Sequence, residues 1–531
     1  DTVPGGIDNV QDIYALSPLQ DGILFHHLVA TENDPYLLGA LISFGTRAAL
    51  DAYFSALQAV VDRHDILRTS FHWEGMARPA QVVLRHASLH VDMFEAKPGE
   101  DVAGLLWKHV QSGHRIGLDK APLIRFTVAA DPANDRWLLV KHQHHIIGDH
   151  STAALIEQEI EALLDNEPET LQAPIPFRDF IAQVRGGLGN DGHRAYFERM
   201  LADVDQPTQP FGISGLYHGG AETVEAERIL SQALNTRLRS RARVLGVTVA
   251  SLCHLAWGMV IARCTGQETV VFGTVLFGRL AASQDSDRAM GPYINTLPLR
   301  MDITGDDTEY CARKAHESLA ELIKHEHASL SMAQRCSVLE NPAELFSSLI
   351  NYRHTAYKAH AATLTQVAAA DSPEWLASIE RTNYPLAISV EDFGEALGLT
   401  AQSISTLSPE RVIDLMEHAL EQLANVLECS PHTPCHLVDV LPPAERRWLL
   451  ETANLSEGEP SASSLIHTLF ELRAAESPTA IAVIDGDRLY TYAEVNDEAN
   501  RMAHHLIASD VGPERIVAIC ARRGLFQVVA Y

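Results

Sequence analysis

One stretch, Trp137 to Leu164, constrains the fold of this chain more than any other, because it reads as a strand, a turn and a helix in direct succession. Trp137-Leu138-Leu139-Val140 is a strongly apolar, strand-like run. His144-His145-Ile146-Ile147-Gly148-Asp149-His150 follows, with two adjacent imidazoles and a carboxylate four residues after the second. Beyond it Ile156, Ile160, Leu163 and Leu164 recur at helical spacing, and Ser151 and Thr152 are good N-cap residues for that helix. A strand–turn–helix junction holds a side chain rigidly while leaving it open to a cleft. Imidazole is also the side chain best matched to proton transfer near neutral pH. This turn is therefore the first candidate for an active site.

The surrounding pattern predicts an α/β chain. Helix and strand signals alternate to about residue 165 and pass through the connector Ala173-Pro174-Ile175-Pro176. A short helix near 192–203 and the loop-rich passage Gln206 to Gly212 come next, and alternation resumes over 228–427. We expect one lobe over 1–175 and a second over 176–430. The most apolar stretch, Val247 to Cys264, is interrupted by His254 and Arg263 and is short for a bilayer. It predicts a buried helix opened by Thr248 and closed near Gly266, and no transmembrane segment is expected. Pro434, Pro442-Pro443 and Glu457-Gly458-Glu459-Pro460-Ser461 mark a linker over 431–465, with a further segment over 466–531.

Composition narrows the function classes. A net charge of −28 argues against nucleic acid or an anionic membrane as partner, since phosphate neutralisation needs clustered Lys and Arg. Seven scattered cysteines with no CxxC pair suit a reducing, cytoplasmic setting better than a disulfide framework. The first residue is Asp1 rather than Met, which suggests a piece of a longer protein, and no signal peptide is visible.

Three further segments bear on the turn. Ser17-Pro18-Leu19-Gln20-Asp21-Gly22-Ile23-Leu24-Phe25-His26, Arg63-His64-Asp65-Ile66-Leu67-Arg68-Thr69-Ser70-Phe71 and Gly291-Pro292-Tyr293-Ile294-Asn295-Thr296 flank it in order. Weaker echoes are Phe177-Arg178-Asp179-Phe180, His325-Glu326-His327 and Asn383-Tyr384-Pro385-Leu386. Together with the HHxxxDG-like core at His144 to His150, this set resembles the motifs of condensation domains of nonribosomal peptide synthetases. Those domains are relatives of chloramphenicol acetyltransferase that join two carrier-bound thioesters through an amide bond. Leu489-Tyr490-Thr491-Tyr492-Ala493-Glu494-Val495 resembles the first motif of adenylation domains.

The resemblance implies two acetyltransferase-like lobes in a V-shaped pseudo-dimer with a tunnel between them. It also implies a truncated adenylation-domain tail, inert because no Gly-rich phosphate-binding loop is reached. No cofactor or metal is expected on the domain itself, the substrates riding on 4′-phosphopantetheine arms. The implied partners are upstream and downstream peptidyl carrier domains and the adenylation domain of the same module.

His145 maps onto the second motif histidine, beside the attacking α-amine; on residue type alone it is equally a hydrogen-bonded core or metal-ligating histidine. As general base it would contribute roughly 10²–10⁴-fold. A free α-amine titrates near 7.7–8.0, so about a tenth is neutral at pH 7 already. We favour His145 as the acceptor that aims the amine and takes its proton late. His144 reads as structural. So does Asp149, for which the resemblance implies an arginine partner, and Arg279 in Phe277-Gly278-Arg279-Leu280 is the leading candidate. Gly148 is expected to supply backbone freedom or close approach, its amide facing the developing oxyanion. Asn295 either donates near the tunnel or caps a turn. Ser17 and Gln20 organise the first helix near the tunnel, Arg63, His64 and Arg68 hold the lobe together, and His325 and His327 read as solvated helix residues.

One departure stands out: His150 occupies the position where the family has Gly, which puts pocket size, donor choice and even reaction type in question. The Ser17–His26 segment looks most like subtypes taking a D-configured or modified donor. Rival readings are a dehydrating or epimerising member, a non-catalytic recruitment domain, and a metal site from His142, His144, His145 and His150. The last lacks HExxH-type spacing.

Overall fold

The computed structural model describes residues 4–29, 34–97, 99–111, 115–186, 190–214, 223–278, 288–340, 345–354, 373–379, 382–454 and 465–531. The chain divides into two compact units, Asp1–Pro442 and Pro443–Tyr531.

In the larger unit the strands are β1 (Val10–Ala15), β2 (Leu37–Phe44), β3 (Thr69–His72), β4 (Ala80–Leu84), β5 (His90–Met93), β6 (Ile124–Asp131), β7 (Arg136–His144), β8 (Thr223–Ile229), β9 (Thr269–Leu276), β10 (Asn295–Asp302), β11 (Ser348–His354), β12 (Glu374–Ile379), β13 (Leu386–Asp392) and β14 (Leu397–Ile404). The helices used below are α1 (Pro18–Val29), α2 (Arg47–Arg63), α3 (Val102–Gln111), α4 (His150–Leu164), α5 (Phe177–Gly186), α6 (Asn190–Leu201), α7 (Gln232–Leu245), α8 (Val249–Thr265) and α9 (Thr308–Ile323).

A five-stranded sheet of order β12-β2-β7-β6-β5 forms the first lobe, and a six-stranded sheet of order β10-β9-β11-β13-β14-β8 forms the second. Strands β2 and β6 each run antiparallel to β7 between them, while β5 joins β6 in parallel. The small sheet β1-β4-β3 completes the unit. Residues Leu138 to His144 of β7 are all buried, because helices cover both faces of the first sheet. Leu138 and Val140 pack with Val102, Leu106 and Val110 of α3, whereas Leu139 packs in the core that holds Leu50, Tyr53 and Leu57 of α2. The period-two rule therefore puts His142 and His144 on the α3 side.

Two segments cross between lobes. Strand β12, although it follows β11 of the second sheet, pairs antiparallel with β2 of the first. Phe177, Phe180 and Ile181 of α5, together with Ala289, Met290 and Tyr293, are buried in the first-lobe core. The residues that open the expected linker are also packed: Cys435, Val438 and Val440 belong to the second-lobe core, and Cys435 N–H bonds Asp306 O at 2.8 Å.

Helix α8 matches its expected caps. Thr248 Oγ1 accepts from Ser251 N–H, and Gly266 ends the helix at φ 72°, a conformation that favours glycine. Among the described residues no single helix is long and apolar enough to cross a membrane.

His254 of α8 is 3% exposed and satisfied at both nitrogens, Nδ1 donating to Ala250 O and Nε2 accepting from Thr274 Oγ1, each at 2.7 Å. Burial pulls its pKa down to about 4. Below the ordinary histidine range the unfolded chain binds a proton that the folded chain refuses. Stability present above pH 6.5 is thus lost as pH falls towards 4. Between pH 7 and pH 5 this residue alone should cost about 2 kcal/mol. Urea midpoints at the two pH values check this, and His254→Gln should lose that part of the slope.

In the smaller unit, helix Ile466–Glu476 precedes a hairpin of Ile481–Asp485 and Arg488–Thr491, which leads into helix Tyr492–Ala508. Thr491 and Glu494 form a reciprocal capping box at the start of that last helix.

Candidate active site

Strand β7 ends at His144, His145–Ile147 make one 3-10 turn, and α4 begins at His150. Sequence placed the N-cap at Ser151 or Thr152, but Asp149 takes it. Asp149 Oδ1 accepts from Thr152 N–H at 2.9 Å and lies 3.0 Å from Thr152 Oγ1. All three residue types cap well, and a carboxylate also gains from the positive end of the helix dipole.

Gly148 has φ −178° and ψ 153°, extended values open to any residue, so backbone freedom is not its reason. Close approach is: a Cβ there would lie 2.6 Å from Thr152 Cγ2 and 2.9 Å from Thr152 Cβ. Its N–H donates to His145 O at 3.2 Å, closing the turn, so the amide is not turned towards an oxyanion as expected. Because hydrogen bonds pin Thr152, Gly148→Ala should cost about 1–3 kcal/mol, read as a lower urea midpoint.

The adjacent imidazoles have different environments. His144 is fully buried; its Nδ1 accepts from Ile146 N–H at 3.1 Å, so its proton sits on Nε2, which donates to Asp34 Oδ2 at 3.0 Å. Burial holds its pKa below the ordinary histidine value despite the Asp34 hydrogen bond. His27 Nδ1 lies 2.5 Å from the same Oδ2. Burial alone would raise the Asp34 carboxyl, but the hydrogen bonds from His144 and His27 hold it well below the carboxylate range. His145 keeps 8% of its surface exposed, donates its N–H to Tyr36 O at 2.8 Å, and meets the Tyr36 ring edge-on at 6.4 Å. Of the two residues, His144 has no exposed surface and His145 keeps a little.

His27, Asp34 and His144 are also the one group of metal-type donors drawn together among the described residues, their ligand atoms within 4.8 Å of one another. They do not fit a metal. Ligation through Nε2 of His144 would move its proton to Nδ1, against the Ile146 N–H that Nδ1 now accepts. Of the four-histidine set weighed from sequence, only His144 enters this group.

Distant segments converge on the turn. Ser17 and Gln20 cap α1 reciprocally at 2.9 and 3.2 Å, and Gln20 Nε2 donates to Ile146 O at 3.1 Å. Tyr293 N–H donates to Asp149 Oδ2 at 3.3 Å, and Gly291 N–H donates to Thr152 Oγ1 at 3.0 Å. The Gly291–Thr296 motif is thereby tied to the first turn of α4. Asn295 Nδ2 donates to Glu326 O and Ala328 O, each at 2.7 Å, so it clamps a turn of the second lobe. With Ser17, Phe180, Tyr293 and His327 it also lines a small, open pocket. His150 is exposed at the first position of α4. Arg279 lies outside the described residues.

Arg63 and His64 both bond Glu159 of α4 at 3.0 Å, and Arg68 bonds Asp65 at 3.0 Å, holding the lobe as expected. The expectation for His325 is corrected. It is buried, stacks on Tyr196 with centroids 4.1 Å apart, and its Nδ1 lies 3.0 Å from that of His193. His327 is likewise only partly exposed and sits 5.5 Å from the Phe180 ring. Helix α9 ends at Ile323, so both rings belong to a packed turn and not to a solvated helix face.

Asp34 and His27 were missed from sequence, and Thr152 was read only as a helix cap. A usable signal exists for Asp34. Pairing the apolar runs of β2 and β7 antiparallel sets Leu37 against His144, which brings residues 34–36 alongside the turn.

Comparison with known proteins gives a consistent picture. The family model described as Condensation domain matches residues 10–450, and that described as AMP-binding enzyme matches 470–531. The chain is 47% identical over 529 residues to malpinin synthetase of Mortierella alpina, covering 99% of this chain and 7% of that protein. It is 45% identical over 532 residues to malpibaldin synthetase of the same organism, covering 100% and 10%. The chain thus spans a tenth or less of the length of these relatives. The condensation domain from Monacolin K polyketide synthase superposes with TM-score 0.61 at 20% identity, over 80% of this chain and 100% of that one. The first condensation domain of the calcium-dependent antibiotic synthetase, solved with a substrate analogue, gives 0.61 at 17% identity, over 81% and 99%. Both likenesses establish the fold.

Proposed function

The chain belongs to the condensation-domain family of nonribosomal peptide synthetases, followed by the start of an AMP-binding domain, and from that premise we propose that it joins two carrier-bound thioesters through an amide bond. The donor is an aminoacyl or peptidyl thioester on an upstream carrier, the acceptor the α-amine of an aminoacyl thioester on a downstream carrier. Both ride on 4′-phosphopantetheine arms, in a cytoplasmic synthetase whose adenylation domain loads the downstream carrier. The proposed layout is a lobe over 1–175, a lobe over 176–430 that lends α5 and β12 to the first, a linker over 431–465 whose opening residues pack on the second lobe, and a partial adenylation domain over 466–531.

In the step proposed, the acceptor nitrogen attacks the donor carbonyl carbon and the C–N bond forms as the carbonyl becomes an oxyanion. Collapse breaks the C–S bond. The proton shed by the nitrogen passes to His145 and then to the departing thiolate. His145 aims the amine before it accepts that proton. Holding both thioesters together supplies much of the rate, since effective molarities reach about 10⁵ M or more.

The observation that carries this reading is the contrast within one dipeptide: His144 has both nitrogens committed and no exposure, whereas His145 keeps 8% of its surface open on a turn held by separate stretches of the chain. His144, Gly148 and Asp149 then serve as support, and Arg279 is the proposed further partner of Asp149. Ser17, Gln20, Asn295 and His150 belong to the substrate approach, and His150 is the residue placed to adjust donor choice.

The test is a panel of D- and L-aminoacyl upstream carriers against a glycyl downstream carrier. Peptidyl product from at least one donor is expected, with a D-configured or modified donor favoured. A β-hydroxy donor given to wild type and to His150→Gly should yield products that keep the hydroxyl; loss of water from either product would move the reading to a dehydrating enzyme. Free racemised aminoacyl carrier with no amide would instead indicate an epimerase.

A further inference from the structure

The two peptide N–H groups on either side of the His145 Cα, its own and that of Ile146, trace back to a single buried carboxylate. His145 N–H donates to Tyr36 O at 2.8 Å, and Tyr36 N–H donates to Asp34 Oδ1 at 3.0 Å. Ile146 N–H donates to His144 Nδ1 at 3.1 Å, and His144 Nε2 donates to Asp34 Oδ2 at 3.0 Å. His27 Nδ1 meets that same Oδ2 at 2.5 Å. Asp34 and His144 are fully buried and His27 is 5% exposed, so bulk water does not compete for these bonds.

We propose that Asp34, oriented by His27, is the positioning residue for His145, locking the His144 tautomer through one oxygen and the Tyr36 backbone through the other. This rests on the reading that His145 is the working imidazole. Three N–H donors converge on Asp34, and only a group that accepts at both oxygens satisfies them all. Because His144 presents an acceptor to Ile146 and a donor to Asp34, its tautomer is set by what faces Nε2. A neutral amide in place of the carboxylate reverses that choice at one end. The consequence reaches His145 through its own backbone, where a displacement of about 1 Å is enough to cost roughly 10²-fold in rate. Asp34 acts through His144 and Tyr36; it is a positioning residue and not a catalytic one.

Asp34→Asn in the whole chain, assayed with the most active donor and acceptor carriers of the panel, tests this. The variant is isosteric, but its NH₂ must face either the Tyr36 N–H or the ring N–H groups of His144 and His27. With the NH₂ towards the rings, relief comes when His144 moves its proton to Nδ1, which turns an N–H against that of Ile146. The expected result is a kcat about 10²-fold lower, with KM for both carriers within about threefold. Histidine ¹⁵N spectra should show His144 leaving the single Nε2–H form. A folded Asp34→Asn chain with kcat within about twofold of wild type overturns the proposal, and so does a lowered kcat with both the His144 tautomer and the Tyr36 amide resonance unchanged. Should Asp34→Asn fail to fold, His27→Leu decides, since it removes one donor of three. A kcat about tenfold lower at unchanged KM supports the proposal, and wild-type kcat overturns it. A His145→Ala chain that turns over normally would remove the underlying reading, whereas an inactive His145→Ala beside a fully active Asp34→Asn removes this inference alone.

Discussion

His145→Ala is expected to slow single-turnover peptide transfer by about 10²–10⁴-fold while the chain stays folded. The side chain caps no helix, and the turn's backbone bonds to Tyr36 O and Gly148 N–H do not involve it. Its removal should therefore cost stability on the order of 1 kcal/mol. The size of the rate loss separates its two roles. A loss near the upper end marks proton transfer, and one near the lower end marks aim alone. His145→Gln sharpens the distinction, because an amide can hydrogen-bond the amine but cannot take its proton. If the late proton matters, Gln fails as badly as Ala.

Asp149→Ala should abolish turnover by a different route. The carboxylate caps α4 through Thr152 N–H and receives Tyr293 N–H from the motif that follows β9. Losing the cap costs about 1 kcal/mol, and leaving buried N–H groups without their acceptor adds about 1–3 kcal/mol. A fall of about 3 kcal/mol in urea-derived stability should therefore accompany the lost activity. Asp149→Asn keeps an acceptor for Thr152 but offers Tyr293 an N–H in place of an oxygen, so it should recover the cap and not the tie. If Asp149→Ala were as stable as wild type yet inactive, the residue would have to act on the substrate directly.

The contrast between these variants follows from which parts of the site were local in sequence. The strand–turn–helix around His145 was legible because apolar periodicity and capping residues act over a few positions. The same holds for α8, with Thr248 and Gly266 at its ends. Choosing among Asp149, Ser151 and Thr152 as cap needed geometry, since each type accepts an N3 amide equally well. Contacts made across the chain left no local trace. Asp34 reaches His144 only through the β2–β7 register, and Thr152 reaches Gly291 only through packing of the two lobes. Gly148 was read as supplying either backbone freedom or close approach, and Thr152, four residues on, decides for close approach. His325 was misread because a histidine after an amphipathic helix looks solvated until the Tyr196 ring that covers it is known.

Intact-mass measurement of both carriers after one turnover tests the central claim most directly. An aminoacyl upstream carrier and a glycyl downstream carrier are incubated with the chain, without ATP or added metal, beside a control acceptor whose amine is acetylated. Amide formation requires the downstream carrier to gain the mass of the donor acyl group, the upstream carrier to return to its free thiol, and the acetylated control to gain nothing. Donor lost as free acid across the whole panel, or mass gained by the acetylated control, would contradict it.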